Sequence, residues 1–271
     1  MPLPPEAHQA AHTFLGAIDR ARPGLVTGLY LHGSLGFGEF YAQRSDIDYV
    51  AVLTRRPDAG TLAALAEAHR VTAARHPRPY FDGIHLLAGD LAGPPDQCPD
   101  LPHTHEGAFR TAGRFEINPV TWHELARHGV AVRGPSLSER DVWTDDKALR
   151  AYSHANLTDY WADLAARLAR APARAEHPWA AEWCVLGVSR LHHLLATGTL
   201  TSKCGAGRHA LAVFDARWRP IVTEALRIRE SAGPDAAGGA PSGYEGDGAR
   251  RARDTLGFTA MAIDAALALG D

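Results

Sequence analysis

The most informative part of the chain is LYLHGSLGFGEFYAQRSDIDYVAVL (29–53). It joins two apolar, β-prone runs, LVTGLYLHGS (25–34), which begins four residues before it, and IDYVAVL (47–53), and both predict strands. Two acidic residues with one residue between them are common by chance. The pair at 46 and 48 is informative because it opens an apolar strand and follows a strand that ends in Gly-Ser.

The two acidic residues predict a metal site. Alternate side chains of a strand share a face, so Asp46 and Asp48 point the same way and Ile47 points into the core. Two converging carboxylates are suited to one or two Mg²⁺ ions. Gly33 allows a close backbone approach and Ser34 offers a hydroxyl, and a helix starting just after them would add N–H groups for phosphate. Together these features predict a site for phosphoryl-type transfer from a nucleotide.

A third acidic residue lies in the next predicted strand, YFDGIHLLAG (80–89). If this strand lies beside the strand of Asp46 and Asp48, Asp82 reaches the same pocket. Asp82 would then be a metal ligand, a general base for an acceptor hydroxyl, or both.

Beyond these strands, hydrophobic periodicity divides the chain into two halves. Strands alternate with helices to about residue 140, which predicts a first domain at 1–140, and a domain of helices only follows at 146–271. The predicted helices are 5–20, 61–77, 120–130, 146–171, 179–198, one or two within 207–231, and 251–269. Two proline- or glycine-containing stretches interrupt them: an irregular segment at 92–119, interpreted as a functional loop or a domain edge, and a linker at 132–143. The low-complexity run at 233–248 is predicted to be mobile.

Composition narrows the class of protein. The 271 residues include 28 Lys and Arg against 31 Asp and Glu, a net charge of -3 that argues against a general nucleic-acid binder. The three cysteines form no CxxC pair, so neither a zinc knuckle nor a disulfide framework is expected. The N-terminus does not resemble a signal peptide, and no apolar run is long enough to span a membrane. We therefore expect a cytoplasmic protein without a membrane partner, and a monomer because no apolar surface stripe is left over.

The Gly-Ser turn, the run SDIDYVAVL (45–53) and an acid on the next strand resemble the nucleotidyltransferase superfamily, and more closely its aminoglycoside adenylyltransferases that modify streptomycin and spectinomycin. The runs VTWHELARHGVAVRGP (120–135) and CVLGVSRLHHLLATGTLTSKCGAGRHAL (184–211) resemble the same family, so the resemblance covers most of the chain. It implies an α+β fold. A catalytic domain with a mixed sheet flanked by helices (1–140) would precede an all-helical domain (146–271) that binds nucleotide and acceptor.

The resemblance also implies roles for five residues of the first domain. Asp46 and Asp48 match the metal-binding pair. Gly33 and Ser34 match the phosphate-binding turn. Asp82 matches an acid that the family uses as catalytic base, usually Glu, and it would be a third metal ligand. Asp is one methylene shorter than Glu, which shortens its reach to the acceptor hydroxyl.

In the helical domain, Arg190 and Lys203 match basic residues that contact the nucleotide phosphates. Such a pair would stabilise the leaving pyrophosphate. Trp179, Glu182 and Trp183 lie in the region of the family's acceptor-binding residues, but at altered spacing.

Other polar residues have a simpler interpretation. Glu106, Glu116, Asp163 and Glu182 are further candidates for binding a cationic acceptor, although each alone is typical of a solvated surface. His103 and His105 have no evident third metal ligand nearby, so a solvated loop is expected there.

The expected function is Mg²⁺-dependent transfer of AMP from ATP to a hydroxyl of a small molecule, with an aminoglycoside-type antibiotic as the first candidate. Two alternatives stay open: AMP transfer to protein or RNA, and a nucleotide-binding relative without turnover. The length of the helical domain favours a pocket for a small molecule over a macromolecular acceptor. The three acidic residues favour catalysis over binding alone.

Overall fold

Among the residues that the computed structural model describes, 3–231 and 242–269, six strands form one sheet. All six belong to the first of two compact units, Met1–Asp145 and Asp146–Asp271. The strands are β1 (Val26–Leu31), β2 (Ile47–Leu53), β3 (Phe81–Leu87), β4 (His103–His105), β5 (Ala108–Arg110) and β6 (Val130–Arg133). Their order across the sheet is β5-β4-β3-β2-β1-β6. β2 and β3 run parallel and the other neighbours antiparallel, so the sheet is mixed.

Helices cover both faces of this sheet. Side chains alternate between the two faces along each strand, and both faces carry apolar side chains that the helices bury. On one face Tyr49 and Ala51 of β2 pack against α1 (Pro5–Ala21) and α2 (Ala59–Arg75). On the other face Val50 and Val52 pack with residues of the short helix α3 (Ala88–Leu91) and of α4 (Pro119–His128). The predicted mixed sheet flanked by helices is confirmed.

The second unit is helical, as predicted. Its described helices are α5 (Asp146–Asn156), α6 (Asp163–Ala169), α7 (Pro172–Ala175), α8 (Pro178–Thr197), α9 (Lys203–Val213), α10 (Arg219–Glu230) and α11 (Gly248–Leu267). A π-helical turn, Leu157–Ala162, joins α5 to α6 and interrupts the single helix predicted at 146–171. α8 is the central element, buried along most of its length against α9, α10 and α11.

Two predicted irregular segments contain strands. The segment at 92–119 holds the β4–β5 hairpin, and the linker at 132–143 begins inside β6. Residues 233–241 of the low-complexity run lie outside the described residues. In the part of that run that is described, Tyr244 is buried and donates a hydrogen bond to Asp254 (2.8 Å), so the prediction of a mobile run is wrong at that position.

None of the described helices is long and apolar enough to cross a membrane.

Candidate active site

A row of side chains crosses the sheet at the edge where β1 ends and β2 and β3 begin. The register pairs Asp48 directly with Asp82 on the parallel strands β2 and β3. The backbone N–H of His32 donates to the carbonyl of Asp48 (3.1 Å), and the antiparallel register of β4 sets His105 opposite Asp82. Paired residues on neighbouring strands point to the same face of a sheet. The row therefore consists of His32, Asp48, Asp82 and His105.

The turn after β1 brings backbone close to the Asp48 carboxylate. Gly33 has a φ of 58°, and a Cβ atom at this position would collide with that carboxylate. The buried Oγ of Ser34 has no hydrogen-bond partner within the described residues. Residues 33–38 form successive turns, with the N–H of Phe37 donating to the carbonyl of Gly33 (3.2 Å). The helix considered after Ser34 does not form there, so this turn offers a glycine backbone and a hydroxyl without a helix N-terminus.

The two carboxylates of the acidic pair differ in environment. Asp46 is exposed, one residue before β2, whereas Asp48 is partly buried within the strand. Burial raises the pKa of Asp48 well above its usual value, and the carboxylates of Glu116 and Glu124 add to this effect. The charge of His32 opposes it. Asp48 therefore lies where a further positive charge would be stabilising.

Asp82 is buried and held by the β4–β5 turn. Its two carboxylate oxygens accept hydrogen bonds from the backbone N–H groups of Glu106 (2.5 Å) and Gly107 (3.1 Å). Both turn residues have a positive φ, which aims their N–H groups at β3. Burial raises the pKa of Asp82 above its usual value, the two hydrogen bonds act against this, and the charge of Asp46 adds to it.

Sequence reasoning did not single out His32 or Glu124, and it named Glu116 only as a candidate for binding a cationic acceptor. The Nε2 of His32 lies 3.4 Å from an oxygen of Glu116, and its Nδ1 lies 3.2 Å from an oxygen of Glu124 on α4. Burial alone would lower the pKa of His32, but these two carboxylates raise it well above its usual value. The two carboxylates therefore favour the protonated form of the ring.

Two polar residues, Glu116 and His103, are not the solvated residues that were expected. Glu116 is 23% exposed, with one oxygen buried against His32, so it is not a solvated surface residue. His103 is buried in β4, where its Nδ1 contacts the carbonyl of Leu101 (3.0 Å), and only its neighbour His105 is exposed. His103 and His105 were expected in a loop, but both lie on strand β4 of the β4–β5 hairpin.

The donor set fits a magnesium ion bound together with a nucleotide. Asp46 and Asp48 offer the hard oxygen ligands that Mg²⁺ prefers, and the excess negative charge around Asp48 would be offset by a divalent cation. Within 3–231 and 242–269, no group of three or more His, Cys, Asp or Glu side chains is arranged to hold a metal ion. The two oxygens of Asp82 already accept backbone hydrogen bonds, and its role as a third metal ligand stays a prediction. Two carboxylates suffice where phosphates and water complete the shell.

The remaining predicted residues belong to the second unit. Lys203 begins α9, and its Nζ lies 4.5 Å from the ring centroid of Trp183. Trp183 also stacks on the exposed Trp179 (6.2 Å between centroids). Arg190 is half-buried on α8. The roles of Arg190 and Lys203 with a nucleotide stay predictions.

Glu182 is buried and forms an ion pair with Arg229 on α10 (3.2 Å). This ion pair joins α8 to α10, so Glu182 is not the solvated surface residue that was expected, and its role with an acceptor stays a prediction.

Comparison with known proteins shows the fold. No protein-family model and no curated protein matches the chain. Five chains of solved structures match it, among them spectinomycin adenyltransferase AAD(9) from Enterococcus faecialis, crystallised with ATP and spectinomycin. The two share 13% sequence identity and a TM-score of 0.62, over 93% of this chain and 99% of the other. The chain therefore has a nucleotidyltransferase-like α+β fold along nearly its whole length.

Proposed function

We propose that this chain is a Mg²⁺-dependent nucleotidyltransferase that transfers AMP from ATP to a hydroxyl of a small molecule, with an aminoglycoside-type antibiotic as the acceptor. The observation that carries the proposal is the direct pairing of Asp48 with Asp82 beside the turn at Gly33 and Ser34. The likeness of its fold to an adenyltransferase crystallised with ATP and spectinomycin supports it.

Asp46 and Asp48 would hold the magnesium ion. When bound, this ion would offset the negative charge of the triphosphate and polarise the phosphorus–oxygen bond that breaks. The missing side chain of Gly33 lets the turn pass close to the Asp48 carboxylate, and the buried hydroxyl of Ser34 is available to hydrogen-bond a phosphate beside it. These four residues would fix the position of the α-phosphorus for in-line attack.

Asp82 is proposed as the general base. It would accept the proton of the acceptor hydroxyl while the hydroxyl oxygen forms a bond to the α-phosphorus. The bond from the α-phosphorus to the bridging oxygen then breaks and pyrophosphate leaves. The raised pKa of Asp82 suits this role, because a base works best when its pKa is closer to the working pH. Arg190 and Lys203 are proposed to offset the charge of the departing pyrophosphate.

The two parts of the chain are proposed to have different roles. Residues 1–140 are proposed to be the catalytic domain, and residues 146–271 to bind nucleotide and acceptor. The partners would be ATP and a small molecule, with no nucleic acid or membrane, and the protein would act as a cytoplasmic monomer.

Pyrophosphate release tests this function. The purified chain is incubated with ATP and Mg²⁺ in parallel wells, each holding one candidate acceptor: streptomycin, spectinomycin, other aminoglycosides or simple sugars. We expect release only in wells that hold an aminoglycoside or aminocyclitol. Release without any small acceptor, together with AMP on a macromolecule, would instead support the alternative of protein or RNA modification.

A further inference from the structure

His32 connects three separate elements through its ring and backbone. It follows β1 directly, it contacts Glu116 in the segment before α4, and it contacts Glu124 within α4. The side chain is 2% exposed, and each ring nitrogen faces a different carboxylate. The hydrogen bond between Nδ1 and Glu124 fixes the orientation of the buried ring. Nε2 then faces Glu116 across an ion-pair contact of 3.4 Å rather than a hydrogen bond.

Glu116 is held in an unusual conformation. Its φ of 54° lies in the left-handed region, which residues other than glycine rarely adopt. The next residues lead into α4, where the side chain of Asn118 caps the helix by accepting from the N–H groups of Val120 (2.9 Å) and Thr121 (3.1 Å). An uncommon backbone conformation persists where surrounding contacts stabilise it. Here the contact of its carboxylate with His32 supplies one such interaction.

The position of Glu116 matters because it lies close to Asp48. His32 lies beside Asp48 on the neighbouring strand, with its side chain on the same face of the sheet, and its Nε2 is 3.4 Å from the Glu116 carboxylate. A carboxylate near a metal site that does not itself ligate the ion adds favourable charge and can hydrogen-bond the waters that Mg²⁺ retains.

We propose that His32 is a positioning residue of the metal–nucleotide site: its Nε2 holds the Glu116 carboxylate near Asp48, while Glu124 orients the ring through Nδ1. This inference rests on the proposed function, because it assigns these residues a purpose at the site where magnesium and ATP would bind. It adds Glu116 to the carboxylates on which the site depends.

Two substitutions of His32 distinguish the contact made by Nε2 from the contact made by Nδ1. In His32→Gln, the longer amide reaches the position of Nε2 and keeps the contact with Glu116. In His32→Asn, the shorter amide reaches the position of Nδ1 and keeps the contact with Glu124. Glu116→Gln removes the charge that the ring is proposed to position. Glu67→Gln is a matched control, because Glu67 is an exposed residue of α2 paired only locally with Arg70 (2.6 Å).

The readout is the binding of Mn²⁺, used as a paramagnetic probe for Mg²⁺, by electron paramagnetic resonance in the presence of α,β-methylene-ATP, which cannot transfer AMP. Melting temperatures are measured for every variant. We expect Glu116→Gln and His32→Asn to weaken Mn²⁺ binding about tenfold, the lower end of the effect of residues that support metal ligands. His32→Gln and Glu67→Gln should bind Mn²⁺ like the original chain.

Equal Mn²⁺ affinity in His32→Asn and the original chain would overturn the inference. So would equal losses in His32→Asn and His32→Gln that follow their melting temperatures, because that pattern indicates a purely structural histidine. If the original chain binds neither Mn²⁺ nor the nucleotide, the proposed function itself fails, and this inference with it.

Discussion

Two opposing effects act on the pKa of the Asp82 carboxylate. Burial favours its neutral form, whereas hydrogen bonds from Glu106 and Gly107 favour the charged form. The same hydrogen bonds fix its orientation at the start of β3. A base that is oriented without being strongly stabilised as an anion can still accept a proton.

Asp82→Asn tests the assignment of this residue as base. The amide cannot accept the proton of the acceptor hydroxyl, so we expect kcat to fall by about 10²–10⁴-fold, the usual contribution of a general base. Affinity for ATP with Mg²⁺, measured by calorimetry, should stay close to that of the original chain. A kcat within about tenfold of the original would contradict the assignment.

At this scale the sequence predicted where some residues of the candidate site lie and missed others. Asp46, Asp48 and Asp82 could be predicted because they lie at the starts of two apolar strands, where period-two alternation fixes the side-chain face. His32 and Glu124 could not be connected, because they are 92 positions apart and meet only when α4 packs on the sheet. Nothing local distinguishes such a buried glutamate from a solvated one.

At the scale of elements, a buried polar network joins β2, β3, β4 and α2 on the face opposite the candidate site. The hydroxyl of Tyr49 contacts His69 (3.0 Å) and Thr104 (2.7 Å), and the Nε2 atoms of His69 and His85 are 3.1 Å apart. The Nδ1 of His85 contacts the carbonyl of Pro102 (3.1 Å). Burial lowers the pKa of His85 to about 4 and that of His69 well below its usual value. Both rings are therefore neutral in the folded protein near pH 7.

This network predicts a loss of stability in acid. In the unfolded chain His85 takes up a proton near pH 6.5, but in the folded chain it does so only near pH 4. The contribution of His85 to the free energy of unfolding is therefore fully present above pH 6.5 and is lost as the pH falls towards 4. The full contribution is about 3 kcal/mol. In melting temperatures measured from pH 7 to pH 4, His85→Gln should show a shallower fall than the original chain. The control His8→Gln changes an exposed histidine of α1 and should keep the original slope. Parallel curves for His85→Gln and the original would contradict this prediction.

The parallel pairing of β2 and β3 depends on a glycine. Gly83 is paired with Tyr49, and a Cβ atom on Gly83 would collide with the Tyr49 carbonyl oxygen. Backbone inside a six-stranded sheet cannot shift without breaking ladder hydrogen bonds.

Gly83→Ala should therefore destabilise the protein by about 3 kcal/mol or more, measured by urea denaturation. Gly89→Ala is the matched control, because a Cβ atom on Gly89 of α3 meets no atom within 4 Å. A loss in Gly83→Ala no greater than in Gly89→Ala would show that the strands tolerate the methyl group.

The elements that the sequence did not predict are short. β4 and β5 have three residues each, too few for alternation to be distinguished from chance, and prolines precede them. The Glu106-Gly107 pair between them forms a two-residue hairpin turn with a positive φ at both residues, and Gly107 is the only sequence signal of such a turn there. This turn supplies both hydrogen bonds to Asp82, so the missed hairpin is part of the candidate site.

At the scale of the whole molecule, each unit has its own core. The two apolar clusters of the first unit lie on opposite faces of its sheet, and the second unit packs its helices around α8. The change from alternating strands and helices to helices alone was visible in the sequence, because the two periodicities differ over long stretches. The roles of Arg190 and Lys203 could not be derived from sequence patterns alone, because basic side chains of salt bridges and of phosphate sites occur in similar sequence contexts.

The most direct test of the central claim is transfer of label from [α-³²P]ATP to a small acceptor, measured side by side for the original chain and Asp48→Asn. We predict a labelled aminoglycoside or aminocyclitol with the original chain, and at least about a hundredfold less with Asp48→Asn, because one of the two proposed magnesium ligands loses its charge. Equal labelling by the two proteins, or ATP binding with no labelled product from any acceptor, would contradict the account.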